Sequence, residues 1–581
     1  MTTPSDLSPS AILYEKTHSV TQSTKNPAVW NGKAEVDRRS PSPSPAPPAS
    51  TRSTFASICI VAACTSAQLT SIGLGPAYAI SVPYAGKDLH IQKENLQWIL
   101  NAYSISSACF LLLCGRLADL YGRKRVWLVG YSIFVVFGIG SGFAQSEKVL
   151  DTLRGMQGIG SAAIIPASLG ILAKAFPPGP SRSIAFTAFS AGAPIGAIFA
   201  IVLGGVLTQV TKATWRTPIF LLSGVALAFT ILGFFVFEED EPSTEEDTRV
   251  DWIGAALITA GLVLIVFVLS DSPTARRGWK SPHVIALFVI GVLLVLLFVA
   301  WQYYLERRLE NPDLPRTRWT APPLMKPSMW TRAHGRFAVM QTIACVNWAA
   351  FTIWIVWVEL YYQTYLNLSP IHTMLRLLPM FASGTVANIL IVLMIGRVDV
   401  MYIVATGTLL TGCADVLFAV IDPNAPYWAF GFPAACLIVL GVDFTFASGT
   451  LFIAKVSLPH EQSVAGALFQ AMTQLGSAIG VSVSTIVFNS VLRTQSRRLG
   501  VVADAQGDNV PLPAQLKAYK AAMWTGFTFG LLCTILCVIF LRGVGVVGET
   551  PGQDSPAHRN SEDGGPVNAN GKLKAGNHSL S

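Results

Sequence analysis

The sequence predicts an all-α integral membrane protein of fourteen transmembrane helices, arranged as two six-helix bundles plus two inserted helices. Three observations carry this expectation. Of 581 residues, 51% are hydrophobic and 13% charged, too much apolar surface and too little charge for a soluble chain of this length. Apolar windows of about twenty residues, enough to cross roughly 30 Å of hydrocarbon at about 1.5 Å per residue, follow one another fourteen times. A charged, glycine-containing turn after the second window also has a shorter echo after the tenth, as a duplicated architecture requires.

Residues 1 to about 53 are rich in Ser, Thr and Pro, including Pro41 to Ser50. They cannot bury enough apolar area to offset the entropy of ordering and read as a disordered tail. The first apolar window begins near Phe55, behind that tail, unlike a cleaved signal peptide, so it stays as a span. The windows fall at about 55–82, 95–115, 126–145, 150–174, 183–209, 217–237, 252–271, 283–304, 337–361, 371–395, 401–420, 428–453, 464–491 and 521–542. Residues 54–237 would form the first bundle and 337–542 the second. Between them lie an acidic connector (238–251), the two inserted helices (252–304) and a basic loop (305–336). The run Glu238 to Asp251 reads as a solvated connector. Residues 543–581, without periodicity, form a second disordered tail.

The run Gly115, Arg116, Leu117, Ala118, Asp119, Leu120, Tyr121, Gly122, Arg123, Lys124, Arg125 reads as a loop between spans 2 and 3. Its four cations place it on the cytoplasmic face by the positive-inside bias. An even number of spans puts both tails on that face. Arg307, Arg308, Arg316, Arg318, Lys326, Arg332 and Arg336 agree, whereas Arg276, Arg277 and Lys280, and then Arg493, Arg497 and Arg498, fall on the opposite side. The echo is Gly396, Arg397, Val398, Asp399, which should form a second, equivalent hinge contact between the bundles.

The net charge of +8 clusters at the ends of apolar segments, so topology accounts for it and a nucleic-acid partner is excluded. All nine cysteines lie in apolar stretches, without metal-ligand spacing, and read as small buried residues. No nucleophile triad, metal cluster or phosphate loop stands out; an enzyme, a cofactor and a metal site are not expected.

Polar residues inside the spans are the functional candidates. Arg154 in span 4 is costly unless paired, wetted or snorkelling to the interface, and Gln157 lies on its face. Asp443 is the leading carboxylate for proton exchange: counted from Tyr427 it lies about 24 Å in by helical rise. It could instead be a permanent partner of Thr445 or of a neighbouring helix. Asp415 and Glu359 sit nearer span ends and read as interface residues, as does Trp357. Gln68, Asn101, Tyr103, Gln157, Asn347, Trp354, Gln470 and Gln474 supply a candidate substrate site, Gln470 and Gln474 sharing one helical face. Gly192, Pro194 and Gly196 predict a kink and a tight helix seam. Gly115 admits close helix approach, and Asp119 can meet a helix N-terminus or an arginine such as Arg182.

The Gly115 to Arg125 run resembles the loop signature of the major facilitator superfamily. Arg154, Gly155, Met156, Gln157, Gly158, Ile159, Gly160 is similar to its Arg-x-x-Gln-Gly-x-Gly motif, and Gly192, Ala193, Pro194, Ile195, Gly196 to a worn antiporter motif of exporters. Fourteen spans resemble the drug:proton antiporter family. Ser369, Pro370, Ile371, His372, then Leu377, Leu378, Pro379, Gly441 to Thr445 and Pro459 to Phe469 resemble fungal aminotriazole-resistance and boron-export types. The resemblance implies proton-coupled efflux of small organic compounds by alternating access. Gly115, Asp119 and Arg123 would act as a latch, with Asp443, Arg154, Gly192, Pro194 and Gly196 coupling and gating. It also implies a small-molecule substrate, protons and the lipid bilayer as partners, a monomer, and the plasma membrane ahead of the vacuolar one. One departure stands out. Many members carry an acidic residue in span 1 within Leu-Asp-x-Thr, where Ala67, Gln68, Leu69, Thr70, Ser71 has none. A carrier for borate, ammonium or another small inorganic solute therefore stays open, and the long tails also permit a transporter-like sensor.

Overall fold

The computed structural model describes residues 53–91, 96, 98–240, 247–271, 279, 281–311, 320–501 and 510–546. Both expected disordered tails, apart from a few residues, lie outside this set, as do Arg276, Arg277, Lys280, Arg316 and Arg318. Among these residues fifteen α-helices follow one another: α1 (Thr54–Asp88), α2 (Trp98–Tyr121), α3 (Arg123–Gly142), α4 (Glu147–Ala175), α5 (Pro180–Val210), α6 (Arg216–Val236), α7 (Trp252–Asp271) and α8 (Pro282–Glu310). Then come α9 (Arg336–Leu360), α10 (Pro370–Leu377), α11 (Pro379–Met394), α12 (Val400–Ala419), α13 (Tyr427–Val456), α14 (Gln462–Arg498) and α15 (Leu512–Phe540). Pro379, which cannot donate a backbone hydrogen bond, divides the tenth span into α10 and α11. Among the described residues, fourteen segments are long and apolar enough to cross a membrane.

Helices α1–α6 pack on one another, as do α9–α15. The two bundles meet along two seams, α2 with α14 and α5 with α11. Helices α7 and α8 pair, and α7 rests on both α2 and α14. Thr259 Oγ1 donates to the Cys109 carbonyl (3.4 Å) and Ser482 Oγ to that of Leu269 (3.0 Å), so the inserted pair lies against the α2/α14 seam. Small residues make such contacts possible, because apolar surface alone does not drive helix association in lipid. Gly192 and Gly196 bring α5 onto Thr65 and Leu69 of α1, and Gly476 and Gly480 bring α14 onto Cys345 and Ala349 of α9.

The Gly115 to Arg125 run is not a loop. Only Gly122 lies between α2 and α3, at φ 105°. That left-handed backbone reverses the chain in one residue, and a side chain there would run into Asp240. The connector is correspondingly more than solvated. Asp240 accepts from the backbone N–H groups of Lys124 and Arg125 (both 3.0 Å), capping α3. Asp251 is buried and accepts from Gly254 N (2.8 Å), Trp301 Nε1 (3.0 Å) and Gln302 Nε2 (2.6 Å), fixing the α7–α8 pair.

Three further expectations are corrected. Trp357 is no interfacial anchor: it is buried, donates to Ser484 Oγ (2.8 Å) and stacks on Phe488. Asp415 is no interface residue either, being wholly buried on α12 where Gly526 of α15 leaves room for its carboxylate. Among the cysteines, Cys413 is exposed and Cys59 and Cys436 are half-buried. Their helices present those faces outside the bundle cores.

Candidate functional site

The face of the molecule carrying Gly122 is closed by contacts between the bundles. Asp119, at the end of α2, accepts from the N–H groups of Ser463 (3.3 Å) and Val464 (3.0 Å) and so caps the N-terminus of α14 across the seam. A carboxylate there is favoured by the unpaired N–H groups and the helix dipole. Arg123 pairs with Asp119 (3.1 Å) and donates to the carbonyls of Gly170 (2.8 Å) and Pro459 (2.5 Å), joining α4 to the turn before α14. Gly115 is where the backbones meet: a methyl group added there would lie 2.7 Å from Ala467 Cβ and 3.0 Å from the Ser463 carbonyl.

Asp119 meets both kinds of partner expected for it, a helix N-terminus and an arginine, but the arginine is Arg123 and not Arg182. Arg182 donates instead to the Ala454 carbonyl (3.2 Å), linking α5 to α13. Sequence reasoning missed Glu461, just before α14, which is nearly buried and ion-paired to Lys326 (2.8 Å) and Arg332 (2.6 Å) of the segment entering α9. The echo motif makes no equivalent hinge. Asp399 caps its own helix α12 through Met401 N (2.8 Å) and accepts from Gly545 N (3.0 Å). With one intervening residue fewer than the Gly115 to Asp119 spacing, it ends up as a local cap and does not reach the first bundle.

Inside the first bundle, Arg154 is fully buried and does not snorkel. Its Nε donates to the Ile99 carbonyl (3.1 Å), its Nη1 to Gln157 Oε1 (2.8 Å), and its guanidinium lies 4.5 Å from the centre of the Tyr103 ring. Tyr103 donates to the Ser71 carbonyl (3.2 Å), and Ser161 bonds Ser71 (2.8 Å), so α1, α2 and α4 share one polar network. Gln157 reaches towards Gly138 of α3 and is not aimed at the second bundle. Asn101 is half-buried on α2.

Inside the second bundle, Asp443 is buried and accepts from Asn388 Nδ2 of α11 at 3.1 Å. Thr445 is occupied elsewhere, donating to the Gly441 carbonyl (3.0 Å). Asn388 also donates to the Gly384 carbonyl (2.8 Å). Gly384 in turn is the point where α11 meets α5, with Pro194 Cβ 3.1 Å from a methyl group built on it. Pro194 therefore faces the other bundle, while Gly192 and Gly196 on either side of it face α1. Carboxyl, amide, glycine and proline form a continuous path from α13 to α5.

Several buried polar groups have no hydrogen-bond partner among the described residues: both side-chain atoms of Gln68, Asn347 and Gln341, Trp354 Nε1, and both oxygens of Asp415. Native interiors rarely leave such groups unpaired, so they mark places where solvent or a solute can bind. Gln341, Asn388 and Asp415 were not singled out as functional from sequence, although each is a polar residue in an apolar span and carries that signal. Trp354 packs edge-on against Phe418 of α12. Gln470 is nearly buried and Gln474 half-buried on α14. Glu359 is exposed and accepts from Gln363 (3.1 Å), consistent with an interface position.

Residues 56–272 match the Major Facilitator Superfamily profile. The chain is 26% identical to an MFS-type transporter of Pyricularia oryzae over 83% of its own length and 82% of the relative's. It is 24% identical to the low affinity ammonium transporter of Saccharomyces cerevisiae (74% and 80% covered) and 26% identical to the efflux pump terJ of Aspergillus terreus (74% and 80%). In fold it is similar to the human organic anion transporter MFSD10 (TM-score 0.55, 14% identity, 83% and 99% covered). It is likewise similar to the proton:xylose symporter XylE (TM-score 0.57, 11% identity, 84% and 97%). With fourteen apolar helices among the described residues, in two six-helix bundles and an inserted pair, the chain has the fold of these transporters, and its residues 56–272 are similar to the Major Facilitator Superfamily.

Proposed function

We propose that this carrier exports small organic compounds in exchange for protons, as a fourteen-span drug:proton antiporter of the kind found in fungi, and that it works as a monomer in the plasma membrane. The Gly122 face is cytoplasmic in this reading, with both termini on that side. Relatives named for efflux and drug resistance support the direction.

The observation that carries the coupling is the path Asp443, Asn388, Gly384, Pro194. An ionised Asp443 accepts from the Asn388 amide. A protonated one has an O–H to donate, which needs an acceptor. Asn388 Oδ1, which has no partner among the described residues, supplies it if the amide turns over. Turning removes the bond from Nδ2 to the Gly384 carbonyl, at the contact between α11 and α5. Gain or loss of one proton would thereby reach the seam about which the bundles rock. On the cytoplasmic face, Asp119 and Arg123 hold the closed arrangement that must open on the next half-cycle. The unpaired amides Gln68, Gln341 and Asn347 are candidate substrate contacts, alongside Asn101, Tyr103, Gln470 and Gln474.

The test is flux in reconstituted vesicles. Efflux of a cytotoxic organic probe should follow an imposed pH gradient in sign and stop when the gradient is collapsed; flux indifferent to the gradient refutes proton coupling. A second reading, a carrier of ammonium or another small inorganic solute, is favoured by the absence of a span-1 carboxylate and by the relative named as an ammonium transporter. Growth of a deletion strain on ammonium, boric acid and assorted organic toxins separates the two.

A further inference from the structure

A pocket lies away from the bundle seams, on the face opposite Gly122, enclosed by the end of α9, α10 and the turn before α13. Its volume is about 200 Å³, below the roughly 300–1,000 Å³ of sites for drug-sized ligands. Its walls include Tyr361, Tyr362, Arg376, Asp422, Tyr427 and Gly431. Tyr361 and Tyr362 belong to a π-helical turn, Tyr361–Tyr365, a wide turn that recurs at binding sites.

Arg376 is the chemical centre of the pocket. Its guanidinium lies 5.1 Å from the Tyr362 ring centre and 5.6 Å from that of Tyr427. Tyr427 Oη donates to the Arg376 carbonyl (2.6 Å), which fixes the backbone from which the side chain projects. Arg376 makes no ion pair with a carboxylate among the described residues. Asp422, the acid in the wall, is exposed and accepts from its own loop through Asn424 N (3.0 Å). Gly431 keeps the pocket open: a methyl group there would sit 2.6 Å from Tyr362 Oη.

A half-buried arginine in a candidate span is costly without a counter-charge. Its planar fork matches a carboxylate bidentately, and the flanking tyrosine rings offer a flat apolar surface for whatever carries that carboxylate. We propose that this pocket is a binding site for a small aromatic monocarboxylate, held by Arg376 and flanked by Tyr361, Tyr362 and Tyr427, separate from the transport path. The ligand approaches from the face opposite Gly122, so the site reports the solution on that side to the second bundle through α10 and the π-turn of α9.

The probe is radiolabelled benzoate, measured by equilibrium binding to the purified full-length protein. Saturable binding is expected, at least tenfold weaker in Arg376→Gln, weakened to a lesser degree in Arg376→Lys, which keeps the charge but loses the fork, and weakened in Gly431→Ala. Cyclohexanecarboxylate should compete less well than benzoate, and inorganic phosphate poorly. No saturable binding to the wild-type protein overturns the proposal, whatever the variants do. Equal binding to Arg376→Gln, shown to be folded by its thermal transition, places benzoate elsewhere, including at the transport site, and also overturns it. Competition by phosphate or anionic lipid headgroups as strong as by benzoate means that the pocket reads anionic charge alone, which refutes the aromatic carboxylate.

Discussion

Asn388 donates a 3.1 Å hydrogen bond to Asp443, and through the same amide nitrogen a 2.8 Å bond to the Gly384 carbonyl. One side chain thus ties the buried carboxyl of α13 to the backbone of α11 at its contact with Pro194 of α5. If the proton acts through this link, Asp443 and Asn388 should fail differently. Asp443→Asn removes the titrating group and should abolish the response to a pH gradient while leaving substrate binding in place. Asn388→Ala leaves the carboxyl but cuts its path to α5. Loss of hydrogen bonds worth about 1 kcal/mol each should slow gradient-driven flux by roughly five- to thirtyfold. The slowed flux would still follow the sign of the gradient. Vesicle flux with the inside and outside pH varied separately measures both. Full coupled flux in Asn388→Ala would show that the link carries nothing.

The cap that Asp119 places on α14 joins different bundles, so it must break whenever the Gly122 face opens. Asp119→Asn keeps an acceptor oxygen for the N–H groups of Ser463 and Val464 but removes the charge that meets the helix N-terminus and Arg123. Those terms together amount to about 1–2 kcal/mol. The closed arrangement should lose about that much. A thiol introduced by Ala471→Cys, beside the α2/α14 seam, should then react about ten times faster with a membrane-impermeant reagent than in the parent, above the background of native cysteines. Unchanged labelling would mean that the Gly122 face stays shut by other contacts, Glu461 with Lys326 and Arg332 first among them.

What was legible in the sequence was whatever hydrocarbon dictates. Span length and number follow from membrane thickness, and a lone Arg154 or Asp443 among apolar residues advertises itself. What was not legible was pairing over long separations. The Gly115 to Arg125 run reads as a loop because charge and glycine usually mean one, yet a single residue of positive φ at Gly122 suffices when Asp240 arrives to cap α3. Local pattern cannot tell that Asp119 caps a helix some 340 residues away while Asp399, in a similar motif, caps its own. Trp357 and Asp415 failed for a related reason. Position along a helix gives depth, but only packing shows that these faces turn inward.

Asp88, beyond the described membrane span of α1, offers a pH test outside the hydrocarbon. Trp215 Nε1 donates to its carboxylate (3.1 Å) and Arg216 pairs with it (2.6 Å), while Arg216 also donates to the Ala144 carbonyl (3.2 Å). The hydrogen bond from Trp215, and then that from Arg216, hold the Asp88 carboxyl below its ordinary range. A carboxyl depressed in the folded state adds stability above its unfolded value, about 3.9, and that contribution disappears as the pH falls through the lower folded value. The side chain is 46% exposed, so solvent and salt screen the pair and the effect stays local. Acidification below about pH 4 should therefore loosen the corner where α1, α3 and α6 meet without unfolding the bundle. Amide exchange in residues 85–91 and 211–217, corrected for the intrinsic pH dependence of exchange, should rise in the wild-type protein. In Asp88→Asn it should be fast at every pH, because the amide still accepts from Trp215 but no longer attracts Arg216. Equal and pH-independent protection in both proteins would show that Trp215 and Arg216 are held in place by packing alone.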